Sequence, residues 1–299
     1  HLDSIEFYFE KDNVWTQKKY GDLLPFSKRE IFSRFFVIPL EIPAQTKNRF
    51  FIKIKSETVL IVPLILYRSN AFLEQNFRLE TWYAIFYGAM AIMILYNGFI
   101  FIAFRSKSYF YYSLSTFFTL LFYIAFNGHG FQYLWGESLL WQNYSVIILT
   151  SISWISVLAF TDRFLEFRKN FPILRITTII LQIIFIAAFG FIAISARLCV
   201  MIQSFVASFT VIFIFLVGLY SLSKGNRYAR YFVIAWFTFL IGSILFILYL
   251  LNFIERNFIT MNVIQIGSLL ELIIFSFALA DRYQIIQEES IRVQAESLE

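Results

Sequence analysis

Apolar and polar positions along this 299-residue chain fall into two regimes. From about residue 81 onward, apolar residues come in blocks of roughly 20, the length that carries a helix across a hydrocarbon layer. Up to about residue 78 the apolar runs are short and rich in β-formers. In Arg49–Lys55, Phe50, Ile52 and Ile54 fall on one face and Lys53 and Lys55 on the other, as in a half-buried strand. Arg34–Ile38 and Val59–Leu66 are two further strand candidates, with Gly21-Asp22, Pro25, Pro39 and Pro43 as turns or edge positions. The pattern predicts part of a β-sandwich over residues 1–78 and a polar hinge at 73–80.

The blocks predict seven spanning helices at 81–104, 109–126, 144–164, 173–194, 199–222, 231–251 and 259–280. Pro172 sits where proline fits the first turn of a helix. The fold class is therefore an all-α polytopic membrane protein, a seven-helix bundle over 79–280, preceded by a partial extracellular β-sandwich. Arg105, Lys107, Arg163, Arg168, Lys169, Arg175, Lys224, Arg227 and Arg230 lie in loops or helix ends on one side, and only Arg197 and Arg256 on the other. That asymmetry places the C-terminus in the cytoplasm and the β domain outside. Trp82, Tyr83, Trp135, Trp141, Tyr144 and Tyr249 then fall at the outer interface, and Tyr109, Tyr111, Tyr112, Tyr228 and Tyr231 at the inner one.

The last block matters most. Met261 to Arg282 is apolar apart from Glu271, and at Asp281 and Arg282 it passes into a polar, Glu-rich helix over 281–299. Leu279, Ile286 and Val293 recur every seven residues, with Tyr283, Ser290 and Ser297 between them: the start of a coiled-coil seam, or a solvated helix end. A helix that begins in lipid and continues into water can carry a mechanical signal. With no initiator Met and a helix still running at Glu299, the chain reads as an excerpt, its effector lying beyond Glu299.

Composition agrees with a membrane protein: 59% hydrophobic residues and only 15% charged, against about a quarter charged in soluble domains. A net charge of +5 would suit nucleic acid, but the cations cluster in short loops where they orient spans, so no nucleic-acid partner is expected. One cysteine, Cys199, and two histidines, His1 and His129, exclude a disulfide framework and a Cys/His zinc site. No phosphate-binding glycine loop, paired carboxylates or nucleophile–base arrangement is present, so the segment is expected to be non-enzymatic and to need no cofactor or metal. The spans hold no lysine, which removes a retinal Schiff base.

Six residues are candidates for signalling or structural roles. Glu271 must face the bundle, because a charged residue near a helix centre costs about 2.5–3.5 kcal/mol on insertion scales. Gly267, Ser268, Phe275 and Ala278 share its face, and mostly small neighbours allow another helix close. Asn97 in the first span sits at similar depth; either it hydrogen-bonds Glu271, or each finds its own partner. Asn127 and His129 mark the outer end of the second span, His129 reading as a hydrogen-bonding loop residue. The aromatic loop Phe131–Trp141 lines an outer pocket or lies at the headgroup level, the second being the reading adopted. Asp281 and Arg282 belong to an Asp-Arg-aromatic triplet that also occurs at Asp162-Arg163-Phe164, and charges there are expected at any cytoplasmic boundary.

With these residues in view, the chain resembles the bacterial seven-transmembrane receptors with diverse intracellular signalling modules. Leu95-Tyr96-Asn97, Arg105-Ser106-Lys107-Ser108-Tyr109, Asn127–Trp135 and Arg230-Tyr231-Phe232 carry the resemblance, together with Gly267–Glu271 and Ala278–Arg282. Trp15, Gly21–Ser27 and Phe36–Leu40 are similar to the later part of that family's extracellular jelly-roll domain. The resemblance implies a domain that binds carbohydrate or another small molecule. It also implies a cytoplasmic output: a cyclase, histidine kinase, diguanylate cyclase or phosphatase. Such outputs work as dimers, so a homodimer in the bacterial inner membrane is expected. A transporter or channel is the alternative, disfavoured by the single intramembrane acid and the lack of a repeat.

Overall fold

The computed structural model describes residues 2–11, 14–42, 48–56, 62, 64–255 and 257–296. Pro43, Val59–Ile61, Pro63, Arg256 and Ser297 fall outside the described residues, as do the side chains of Ile286, Ser290 and Val293 that would form the coiled-coil seam. The chain divides into two compact units: His1–Tyr67 with Leu121–Ile152 and Ile186–Gln203, and Arg68–Leu120 with Ser153–Phe185 and Ser204–Glu299.

The first unit holds an antiparallel sheet of three strands, β1 (Ser4–Lys11), β2 (Val14–Tyr20) and β3 (Phe50–Lys55), in the order β2-β1-β3. β1 pairs Phe7 with Lys18 of β2 and with Ile52 of β3. Only β3 coincides with a strand expected from the sequence. Arg34–Ile38 is not a strand but irregular chain. Its Phe36 and Ile38, with Leu40, pack on the sheet core of Ile5, Phe7 and Tyr20, so the run is apolar because it covers the sheet. Gly21 lets the chain turn back on β1: its φ is +143°, and a Cβ there would lie 2.3 Å from the Asp3 carbonyl oxygen.

Seven helices are long and apolar enough to cross a membrane. They are α1 (Ser69–Phe104), α2 (Lys107–Phe126), α3 (Leu139–Phe164), α5 (Pro172–Ala188, prolonged by a 3-10 turn over Phe189–Ala193), α6 (Ala196–Ser223), α7 (Ala229–Leu250) and α9 (Val263–Glu296). Two single-turn helices, α4 (Phe167–Asn170) and α8 (Phe258–Met261), complete the set. The expected hinge at 73–80 is helical, since α1 runs straight through it. Glu74 and Arg78 form an i,i+4 ion pair at 2.6 Å there, and polar residues of this kind are good helix formers. The seventh span begins later than its pattern suggested. An Asn257–Thr260 capping box opens α8, the helix breaks at Asn262, and α9 then continues to Glu296 with no break at Asp281.

Within the second unit α9 packs chiefly on α7 and also on α1. Gly267 meets Gly242 of α7 so closely that a Cβ on Gly242 would lie 3.4 Å from Cα of Gly267 and 3.1 Å from the Val263 carbonyl. Of the small residues on the face of Glu271, Gly267 is the one at this close approach. An aromatic core of Tyr112, Phe160, Phe164, Phe232 and Phe275 fills the space where α2, α3, α7 and α9 meet.

Candidate functional site

Two constellations stand out, one in each unit. In the first, the segment after β2 is interlocked with the connection between α2 and α3. The chain leaves α2 through Asn127 and Gly128, whose φ of +83° is the left-handed conformation that ends many helices. The Asn127 carbonyl, one of those a helix end leaves unsatisfied, accepts from Nη1 of Arg34 at 3.1 Å. Phe26 donates its N–H to the Gly136 carbonyl at 2.9 Å and sets its ring edge-on to Phe131 at 5.5 Å. Phe131 is fully buried against this segment, while Tyr133, Leu134 and Leu140 of the same aromatic loop are exposed. The helical turn Gly130–Leu134 presents Phe131.

Arg29 is the centre of this interlock. Its Nη1 donates to the Ser33 and Arg34 carbonyls at 2.8 and 2.9 Å, and its Nη2 lies 3.2 Å from Oδ1 of Asp22. The guanidinium also lies over the rings of Phe26, Phe36 and Phe131 at 4.6, 4.4 and 5.5 Å. Burial pushes the Asp22 carboxyl up, and Arg29 beside it opposes that shift without cancelling it. A hydrogen bond with Gln142 ties Asp22 to the start of α3. His129 is buried with its ring parallel to that of Tyr133, 6.2 Å away.

The second constellation surrounds α9 where it passes Leu279–Tyr283. Arg282, only 7% exposed, donates through Nη1 to the carbonyls of Arg163 and Phe164 at 3.1 and 2.6 Å. Its Nη2 meets Oε1 of Glu166 at 2.6 Å. The guanidinium therefore fills the C-terminal end of α3, where a helix offers unpaired carbonyls and partial negative charge. The rings of Phe164 and Tyr228 flank it at 5.4 and 5.2 Å. Glu166 reaches it from a left-handed backbone position with φ of +55°. The two Asp-Arg-aromatic triplets are thus brought into contact, Arg282 of one holding the carbonyls of Arg163 and Phe164 in the other.

Three further elements close on the same stretch. Asp281 pairs with Arg230, in the first turn of α7, at 3.2 Å. Tyr109 of α2 donates to the Leu279 carbonyl at 2.9 Å, and one turn outward Tyr112 donates to the Leu272 carbonyl at 2.8 Å. Both tyrosines are buried between helices, with their hydroxyls reaching α9. Phe104, the last residue of α1, packs tilted against Tyr283 with 4.3 Å between ring centroids.

Asn97 and Glu271 are not brought together. Asn97 is fully buried, but its Nδ2 donates to the Met93 carbonyl of its own helix at 2.9 Å, and its Oδ1 has no partner among the described residues. Glu271 makes no hydrogen bond among the described residues. The register explains the miss. Phe104 packs on Tyr283, so Asn97, seven residues before Phe104, and Glu271, twelve before Tyr283, differ in depth by about 7.5 Å at 1.5 Å per residue. The strand pair β1–β2 was also missed, although Ile5, Phe7 and Phe9 alternate with Glu6, Tyr8 and Glu10. Among the described residues no His/Cys/Asp/Glu group could hold a metal.

Comparison with protein families decides the assignment. The family described as 7TM diverse intracellular signalling matches residues 79–282, from within α1 to Arg282, whose contacts clasp α9 to the end of α3. The chain belongs to the 7TM diverse intracellular signalling family. A second match, described as 7TMR-DISM extracellular 2, covers residues 1–68 and with it the whole sheet. Comparison with curated proteins and with solved structures found no match. As a 7TM diverse intracellular signalling protein the chain is a multi-pass membrane sensor, and this segment is receptor rather than catalyst.

Proposed function

We propose that the chain is the input and relay of a sensory receptor that drives a C-terminal cytoplasmic effector of the cyclase, histidine kinase, diguanylate cyclase or phosphatase class. The observation that carries this reading is the continuity of α9: one helix from Val263 to Glu296, gripped at Leu279–Tyr283 by residues of α1, α2, α7 and the end of α3. Helix α3 begins at the interlock, where Gln142 meets Asp22, and ends at Arg282. A displacement of the N-terminal domain has a covalent path along it to the clasp.

The input is a small molecule, a carbohydrate by family analogy, taken by the sheet face that points away from the Ile5–Phe7–Tyr20 core. That face carries exposed Trp15 and Phe51, 5.3 Å apart, beside Tyr8, whose hydroxyl links Glu6 and Gln17. The excess of cations at the ends of α1, α3, α5 and α6 supports an orientation with the clasp and the C-terminus in the cytoplasm, in a bacterial inner membrane as the family analogy suggests. Two copies pair along the helix beyond Arg282.

Alanine insertions after Tyr283 in the full-length protein test the relay. Two alanines turn the following helix by about 200°, whereas seven bring it back to within about 20°. Effector output should lose its regulation with two and keep it with seven. Equal outputs from both, or solute flux through the native protein in liposomes without any effector response, would defeat the relay.

A further inference from the structure

Beside the clasp, the short helix α4 and the turn between α6 and α7 present four exposed cations: Arg168 and Lys169 on the first, Lys224 and Arg227 on the second. The two segments are joined by aromatic packing, Phe171 against Tyr220 with 5.5 Å between ring centroids, and Lys224 lies 5.6 Å from the Tyr220 ring. Among the described residues none of the four has an acidic partner. Arg175, Arg230 and Arg282 close by are each engaged, with Asp162, Asp281 and Glu166. Directly next to the cations the helices turn apolar outward: Ile173 and Ile176 on α5 and Leu219 on α6 are exposed along segments of membrane-spanning length.

We propose that this corner is a binding site for an anionic phospholipid. The unpaired cations take the headgroup phosphate at the membrane surface while the exposed aliphatic side chains of α5 and α6 lie along an acyl chain. The charge and the apolar stripe must be used together, which only an amphiphile can do; a soluble anion would leave the stripe unmatched. Glu166, which holds Arg282, directly precedes α4, so lipid on Arg168 and Lys169 bears on the loop that anchors the clasp. Binding of the lipid stands on the cation cluster alone and does not require the relay reading.

The test uses the full-length protein in nanodiscs of phosphatidylcholine, with spin-labelled phosphatidylglycerol or spin-labelled phosphatidylcholine as probe. The immobilised fraction of each label is read by electron paramagnetic resonance. Wild type should immobilise phosphatidylglycerol several-fold in preference to phosphatidylcholine. A single cation held near an anionic lipid already contributes about fivefold. The Arg168→Gln/Lys169→Gln/Lys224→Gln variant should therefore lose nearly all of the preference. Arg105→Gln/Lys107→Gln, which removes two exposed cations from another loop, should keep it. No preference in wild type, an unchanged preference in the triple variant, an equal loss in both variants, or displacement of the labelled lipid by millimolar inorganic phosphate alone would each overturn the proposal.

Discussion

Arg282 shows how much one side chain can organise and how little of that its sequence position reveals. It was visible as a charge at the end of a span, a feature of any cytoplasmic boundary. Its partners lie 116 to 119 residues earlier, and no periodicity encodes such a pairing. Truncation by Arg282→Ala leaves two carbonyls and the Glu166 carboxylate unsatisfied, a loss of about 2–4 kcal/mol. Arg282→Lys should recover less than half of it, because an ammonium cannot span both carbonyls and the carboxylate as a planar fork does. Unfolding in detergent micelles measures both variants, and a lysine variant as stable as wild type would contradict the geometry. A milder case lies at Glu30, which accepts from Lys18 at 3.0 Å and Tyr20 at 2.8 Å; these bonds hold its carboxyl below the ordinary 4.5. A carboxyl depressed on folding stabilises above its unfolded pKa, and the benefit fades as pH falls through the folded value. Wild type should exceed Glu30→Gln by at most about 1 kcal/mol at pH 7, given the pair's exposure. In unfolding curves recorded from neutral pH to below 4.5, that gap should close.

At the level of elements, what was legible followed from solvent. Seven apolar blocks read correctly because lipid demands about 20 apolar residues wherever a helix crosses it. The polar start of α1 did not, since exposed helix and polar loop differ in propensity more than in polarity. β1 escaped because its solvent face carries Tyr8 as well as Glu6 and Glu10, which blurs the alternation. The small-residue face of α9 was legible in type, and the structure supplies its partner, α7. Gly267→Leu should therefore force α7 and α9 apart: its Cβ alone would lie 3.3 Å from the Thr238 carbonyl and 3.4 Å from Cα of Gly242. Overpacking of this kind costs about 1–3 kcal/mol. Leu270→Ala, on the exposed side of the same helix, should cost far less in the same unfolding assay. Equal losses would mean that the glycine contact does not hold the pair together.

For the molecule as a whole, family membership makes the chain a membrane sensor. In the relay proposed above, the signal enters at the interlock of Arg29, Arg34 and Phe26 with the α2–α3 connection and leaves along α9. The sequence pattern showed the exit helix and missed the grip on it, because the gripping residues come from four separated segments. Everything then turns on whether α9 stays one helix as it passes Asp281. The direct measurement is a double electron–electron resonance distance between spin labels at Leu270→Cys and Gln284→Cys in a Cys199→Ser background, diluted with unlabelled full-length protein in nanodiscs. The labels are fourteen residues apart, about 21 Å of helix. One narrow distribution near that value is expected, and a broad or two-peaked distribution would show a joint at the clasp and leave no rigid rod to carry the signal.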